Sequence, residues 1–472
     1  MINAQHEKYT KWVGVWDKIK DAIAGQDNVK SKGEKYLPKL PGQDENAYRA
    51  YLHRSQYNNL CGRTMQVAIG QLFRKEPITV GIDDFIENIN LEGSHFNHFS
   101  KEVFGDVLKY NRSCILVDYS DEGQRVYLKR FKAKSIINWR SEIINGDKQL
   151  TLVVIKGERC TYVDYEKKET EIYLELYLED GMYKSREWEE VKRPDGTRGF
   201  EIITESMETP LMAGEPLPFI PFYFVTSYGI SENIKTSALS DIVNINLGHY
   251  VNYADYENML HWTGAKTIIT KGYGNKTFPV GAAVDLPTDG DAKFLEASSD
   301  SGLEKEIRHK EELMAIMGTQ LLSGKGKYVA SAQTSQISSE GEYATLADIA
   351  NAISHSMTKV MKIAIEWAGG DSTNINVEYN TDYQVNEIPT GRLTELLGAW
   401  QSGGISYETF YYVLNSYEIY PNGWSKELEL ELINESMTKQ VTDRQAKLNS
   451  QVDQKMMPVN QPNNSSGDTT IE

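Results

Sequence analysis

Two long helical patterns, about residues 237–263 and 301–321, bracket a short β-like stretch, and no other feature constrains the fold as much. In the first, Leu239, Ile242, Val243, Leu247, Tyr250 and Ala254 recur at helical spacing, and Gly264 ends the pattern. At about 1.5 Å rise per residue such a helix reaches roughly 40 Å. The second is rich in charge of both signs, with Glu304, Lys305, Glu306, Arg308, Lys310, Glu311 and Glu312. Between them lie Thr267-Ile268-Ile269-Thr270, a Gly-rich turn at 272–274, and β-like runs at 280–286 and 293–295. A Gly/Lys loop from Leu322 to Tyr328 breaks the second helix. A third helix follows over about 335–367, then a strand over 374–379.

Upstream of the bracket the texture is different. Trp12, Val15, Trp16, Ile19 and Ile23 form one apolar stripe, which predicts a short helix packed on its own domain; an arm on a neighbouring subunit is the alternative. Tyr48, Tyr51, Leu52, Leu60, Val67 and Leu72 predict one long helix over about 45–74, stopped by Pro77. Another is expected over about 94–110, with Ser94 as its N-cap. From Cys114 to about residue 225 the pattern is that of an antiparallel sheet. Asn145-Gly146 and Asp180-Gly181 each sit between strand-like runs, as a type I′ turn with two positive φ angles requires, and Pro194-Asp195-Gly196 marks a third turn. Downstream, helices are expected from 390 to about 448, interrupted at Gly403-Gly404 and Pro421, before a polar tail expected to be disordered.

Composition narrows the function classes. Lys plus Arg number 50 and Asp plus Glu 67 in 472 residues, a net charge of −17, which argues against gripping nucleic acid by bulk charge. It leaves room for a channel through which nucleic acid slides. Cys61, Cys114 and Cys160 lie far apart, so neither a disulfide framework nor a Cys-type zinc site is expected. The N-terminal residues lack the apolar core of a signal peptide, and no run is apolar enough to span a membrane. No phosphate-binding loop, nucleophile elbow or zinc-protease motif occurs. His95 and His98, near Glu92 and Glu102, could form half a metal site, but structural histidines are commoner. Asp285, Asp289, Asp291 and Glu296 could do metal or acid/base work, though their setting among turn residues favours a solvated loop. No catalytic residue, metal ligand or cofactor site is assigned.

The order of these parts resembles the portal (head–tail connector) proteins of tailed bacteriophages. Local strings share the resemblance: Tyr36-Leu37-Pro38, 70–77, Ile137-Asn138-Trp139-Arg140, 239–250, 317–322 and 404–409. The resemblance spans roughly residues 10–440. It implies a mainly helical α+β fold, with 1–235 as wing, 236–263 and 301–322 as two stem helices, 264–300 as clip and 323–335 as tunnel loop. A wing helix and return strand would fill 336–388, a crown 389–448 and a disordered tail 449–472.

By the same resemblance the chain is expected to form a ring, in the family's usual number of twelve, at one capsid vertex of a virion assembled in the host cytoplasm. Double-stranded DNA passes through it during packaging and ejection. Its partners would be further copies of itself, a terminase, a head–tail adaptor, and the major capsid protein or scaffold, with no membrane and no enzymatic activity. Lys325, Lys327 and Tyr328 would meet DNA in the tunnel loop. Lys271, Lys276, Asp285, Asp289 and Asp291 would form the clip docking face. Glu304, Lys305, Arg308, Lys310 and Glu311 would pair between stems of adjacent subunits, or among themselves at i, i+4. Other readings are a different head–tail adaptor and, further off, a metal-dependent hydrolase.

Overall fold

A computed structural model describes residues 1–192, 197–264, 267–271, 288–295, 301–323, 345–381, 383, 390–416, 419–420 and 424–455. It divides into two units, Met1–Tyr383 and Gln384–Glu472. The fold is α+β and mainly helical.

The first unit opens with α1 (Glu7–Ile23), α2 (Gln26–Ser31), α3 (Glu45–Arg54) and α4 (Leu60–Leu72). Helix α1 starts earlier than its apolar stripe, because His6 caps it: the His6 Nδ1 accepts from the Lys8 amide at 3.0 Å. Its stripe packs on its own chain, with Trp16 and Ile19 buried. The single helix expected over 45–74 is two helices. Residues 55–59 (Ser-Gln-Tyr-Asn-Asn) offer the backbone side-chain partners that compete with helix. Ser55 Oγ turns back to the Leu52 carbonyl at 2.7 Å, and Asn59 Oδ1 accepts from the Gly62 amide at 2.9 Å to start α4.

Strand β1 (Ile78–Val80) and the short α5 (Asp83–Ile86) lead to α6 (Phe96–Tyr110). The cap of α6 is His95 rather than Ser94; its Nδ1 accepts from the Asn97 amide at 3.1 Å. That histidine is thereby structural. Asn111, at φ 50°, closes the helix in the left-handed conformation.

The β-rich stretch forms two main antiparallel sheets and a small hairpin. Its strands are β2 (Ser113–Ser120), β3 (Arg125–Lys132), β4 (Ile136–Ile144), β5 (Asp147–Val163), β6 (Glu166–Glu179), β7 (Met182–Lys192), β8 (Arg198–Ile202), β9 (Leu211–Met212), β10 (Glu215–Pro216), β11 (Phe222–Thr226) and β12 (Gly229–Ile230). One sheet has the order β12-β11-β2-β3, the other β4-β5-β6-β7-β8, and β9 pairs with β10. Asn145-Gly146 (φ 53° and 91°) and Asp180-Gly181 (φ 54° and 74°) make the two-residue turns expected of them. A third such turn, Asp164-Tyr165 (φ 47° and 69°), joins β5 to β6 without any glycine to announce it. The Pro194-Asp195-Gly196 turn lies outside the described residues.

Next come α7 (Ser240–Gly264), β13 (Thr267–Lys271), β14 (Asp291–Leu295), α8 (Ser301–Ser323), α9 (Thr345–Trp367) and β15 (Asn376–Glu378). Helix α9 lies against β2, β3, β11 and β12, burying Ile353, Met357, Val360, Met361 and Ala364. Strand β15 pairs with β1 (Ile78 opposite Glu378), so the unit is closed by residues 300 apart in sequence. Tyr379 seals this junction. Its ring meets Phe104 and Phe73 edge-on, and its hydroxyl lies 2.7 Å from Ser100 Oγ.

The second unit holds α10 (Thr390–Gln401), α11 (Tyr407–Ser416) and α12 (Lys426–Lys455). Gly403, at φ 75°, makes the expected break after α10, and Trp400 stacks on Phe410 at 4.9 Å. Tyr411 donates to the Trp424 carbonyl, and the Trp424 indole donates to Glu429 at 2.7 Å, fixing the start of α12. That helix continues to Lys455, past residue 449 where a disordered tail was expected.

Candidate functional site

The bracket of two long helices exists, and it is built as a return path. The chain leaves α7, pairs β13 with β14 from Thr267 opposite Leu295 to Lys271 opposite Asp291, and comes back along α8. The helices run antiparallel and touch where His249 Nε2 lies 3.1 Å from Glu311 Oε1 and Lys310 Nζ donates to the Gly248 carbonyl at 3.3 Å. Gly248 lies directly against the end of the lysine side chain, and a Cβ there would make an ordinary 3.5 Å contact with Lys310 Nζ. The His249 ring is buried and stacks on Tyr253 at 5.7 Å.

Polar pins fix α7 to the N-terminal helices. Asn246, fully buried, accepts from the Leu60 and Cys61 amides at 3.1 Å each and from the Tyr57 hydroxyl at 3.2 Å, and it donates to the Asn58 carbonyl at 2.8 Å. It thus satisfies amides in the first turn of α4 that the helix itself leaves unbonded. Tyr250 lies 3.0 Å from Ser55 Oγ, Tyr51 donates to Asp255 at 2.6 Å, and Arg54 donates to Asn258 at 2.8 Å. Burial and the Asp255 carboxylate together push the Tyr51 hydroxyl well above the usual phenol range. At the α8 end, Gly318 packs against Thr64 of α4, where a Cβ would fall 3.4 Å from the hydroxyl.

Sequence reasoning missed these pins. Asn246 sits four residues after Ile242 and four before Tyr250, within the buried stripe. A polar residue interrupting such a stripe was the available signal, since buried amides are bonded.

The expected site residues have different fates. Lys325, Lys327, Tyr328, Lys276 and Asp285 lie outside the described residues. Lys271 and Asp291 end paired strands and are exposed, as is Asp289; Asp291 lies 3.6 Å from Lys293. On α8, Arg308 donates to Glu304 at 2.6 Å and Lys310 lies 3.6 Å from Glu306, both i, i+4 pairs within the helix. Lys310 and Glu311 also face α7, and Lys305 is exposed. Among the described residues no group of three His, Cys, Asp or Glu could hold a metal ion, and no helix is long and apolar enough to cross a membrane. Cys61 and Cys114 are buried free thiols and Cys160 an exposed one.

Residues 238–368, which run from the start of α7 to the end of α9, match the family model described as a domain of unknown function, DUF4055. No curated protein matches the chain. Among solved structures, a chain of the neck of an empty gene transfer agent particle is 11% identical, with 83% of this chain and 99% of that one covered and a TM-score of 0.36. A chain of the native gene transfer agent virion is 12% identical, covering 82% and 98%, at 0.37. An HK97-family phage portal protein from Corynebacterium diphtheriae is 9% identical, covering 70% and 95%, at 0.33. The chain is thus similar, over most of its length, to chains of a particle neck and to a phage portal protein.

Proposed function

We propose that this chain is a portal subunit: a ring-forming protein at one vertex of a phage-type capsid, through which double-stranded DNA is packaged, held and ejected. The observation that carries the reading is the α7–hairpin–α8 excursion, in the position and order that the sequence resemblance implies. The His249–Glu311 contact between the two helices and the Asn246 anchor to α4 support the reading, since a channel wall needs its helices held to one another and to the rest of the subunit. The net charge of −17 over the whole chain is consistent with the same reading, because a strongly basic wall would trap a polyanion carrying one charge per about 1.7 Å of its axis. Assembly in the host cytoplasm and docking of terminase, adaptor and capsid protein belong to this proposal, with Lys271, Lys276, Asp285, Asp289 and Asp291 as the docking face.

Light scattering and negative-stain imaging of the purified protein test it. An annular particle of about twelve copies with a central hole is expected; a monomer at assembly concentrations would refute it. Deleting 325–328 should leave assembly intact and impair packaging or retention of DNA. Unchanged packaging and retention would remove those residues from the channel.

A further inference from the structure

The N-terminus is fastened by an unusual stack. The His6 imidazole lies flat on Trp139 of β4, with ring centroids 4.1 Å apart and planes 6° from parallel. The same indole carries the Arg112 guanidinium, 4.4 Å from its centroid, and Arg112 also covers Phe224 at 3.8 Å. Arg112 is fully buried, and its Nη2 donates to the Glu232 carbonyl at 2.7 Å. Its Nε and Nη1 have no partner among the described residues. Burial lowers its affinity for a proton, down to about 10.

Four further contacts make this a clasp. The His6 amide donates to the Ile137 carbonyl at 2.9 Å, and Lys8 Nζ donates to Asn233 at 2.9 Å. Asn111 and Ser237 tie the end of α6 to the same 232–237 connector, which leads into α7. The clasp therefore joins the N-terminus, β4 and the root of the candidate channel helix.

We propose that this clasp is an acid-released fastening, held by neutral His6 and opened by its protonation. Two events would follow the proton. Nδ1 would become a donor and could no longer accept from the Lys8 amide, so α1 would lose its cap. A second cation would also be placed on the indole that already carries Arg112. The charged groups facing His6 are Glu7 and Lys8 on α1 and Arg112 ahead of β2; Trp139 and Ile137 on β4 bring no charge. Burial, Lys8 and Arg112 all favour the neutral ring, and Glu7 opposes them. The folded value therefore lies below the ordinary 6.5. The fastening is intact above that pH and is lost as pH falls through the lowered value.

Hydrogen exchange of residues 1–12 in the full chain, corrected for intrinsic rate and compared with α6, tests this between pH 7.5 and 5. Wild type should lose protection several-fold there, while α6 does not. The midpoint should coincide with the His6 imidazole titration followed by NMR. His6→Asn keeps a capping side chain and should show a flat profile. Constant protection in wild type, a midpoint unrelated to the imidazole, or an equal loss in His6→Asn would each overturn the proposal.

Discussion

At the scale of single residues, the structure depends on polar side chains placed where an apolar one would fill the same space. Asn246 is the clearest. Asn246→Leu leaves the buried Cys61 amide without its acceptor, while the Leu60 amide keeps the Asn58 carbonyl and the Tyr57 hydroxyl keeps Cys61 Sγ, so a loss of about 2 kcal/mol is expected in denaturant unfolding. A loss under about 0.5 kcal/mol would mean that water replaces the side chain. Asp21 gives a pH-dependent counterpart. Its side chain is buried, which alone would raise its pKa, but Lys35, Tyr36 and Asn28 outweigh burial and hold the carboxyl below its ordinary 3.8. Its contribution is complete above that value and disappears as pH falls through the folded one. Asp21→Asn should therefore flatten the loss of stability below about pH 4, read from unfolding midpoints across pH. Such residues were poorly legible in the sequence. Chain positions reveal that Asn246 lies on a stripe, but not that α4 begins opposite it.

At the scale of elements, what the sequence revealed depended on whether the cause was local. Asn145-Gly146 and Asp180-Gly181 specify their own backbone angles, so their hairpins were readable. Asp164-Tyr165 adopts the same turn under compulsion from the paired strands on either side, and tyrosine gives no such signal. Tyr165 is fully exposed and held at φ 69°. Tyr165→Gly should therefore raise stability by about 1 kcal/mol; a fall would show that the ring makes an unrecognised contact. The break between α3 and α4 was hidden because the apolar positions continue across it, although Asn58-Asn59 is a pair that disfavours helix. On α8 the Arg308–Glu304 pair is local and exposed. Arg308→Ala should shift the unfolding free energy of the isolated chain by less than about 0.5 kcal/mol. A larger loss would mean that Arg308 has a tertiary role.

At the scale of the molecule, the order of elements was legible and their closure was not. Nothing in residues 78–80 announces that their partner is 376–378, because strand pairing at that separation is decided by the whole intervening fold. A chain ending at Tyr383 should keep the melting behaviour of the first unit, whereas one ending at residue 370 loses β15 and Tyr379 and should not fold cooperatively. Indistinguishable calorimetric profiles for the two truncations would contradict this. The hairpin between α7 and α8 has a further consequence. Lys271 and Asp291 stand opposite each other, so whatever sequence joins them starts and finishes at one place. Lengthening or rewriting that stretch costs little in loop closure and leaves Asn246, His249 and Glu311 where they are. A lineage could in this way exchange that connecting stretch while inheriting the supporting helices unaltered, much as a tool changes its bit and keeps its shaft.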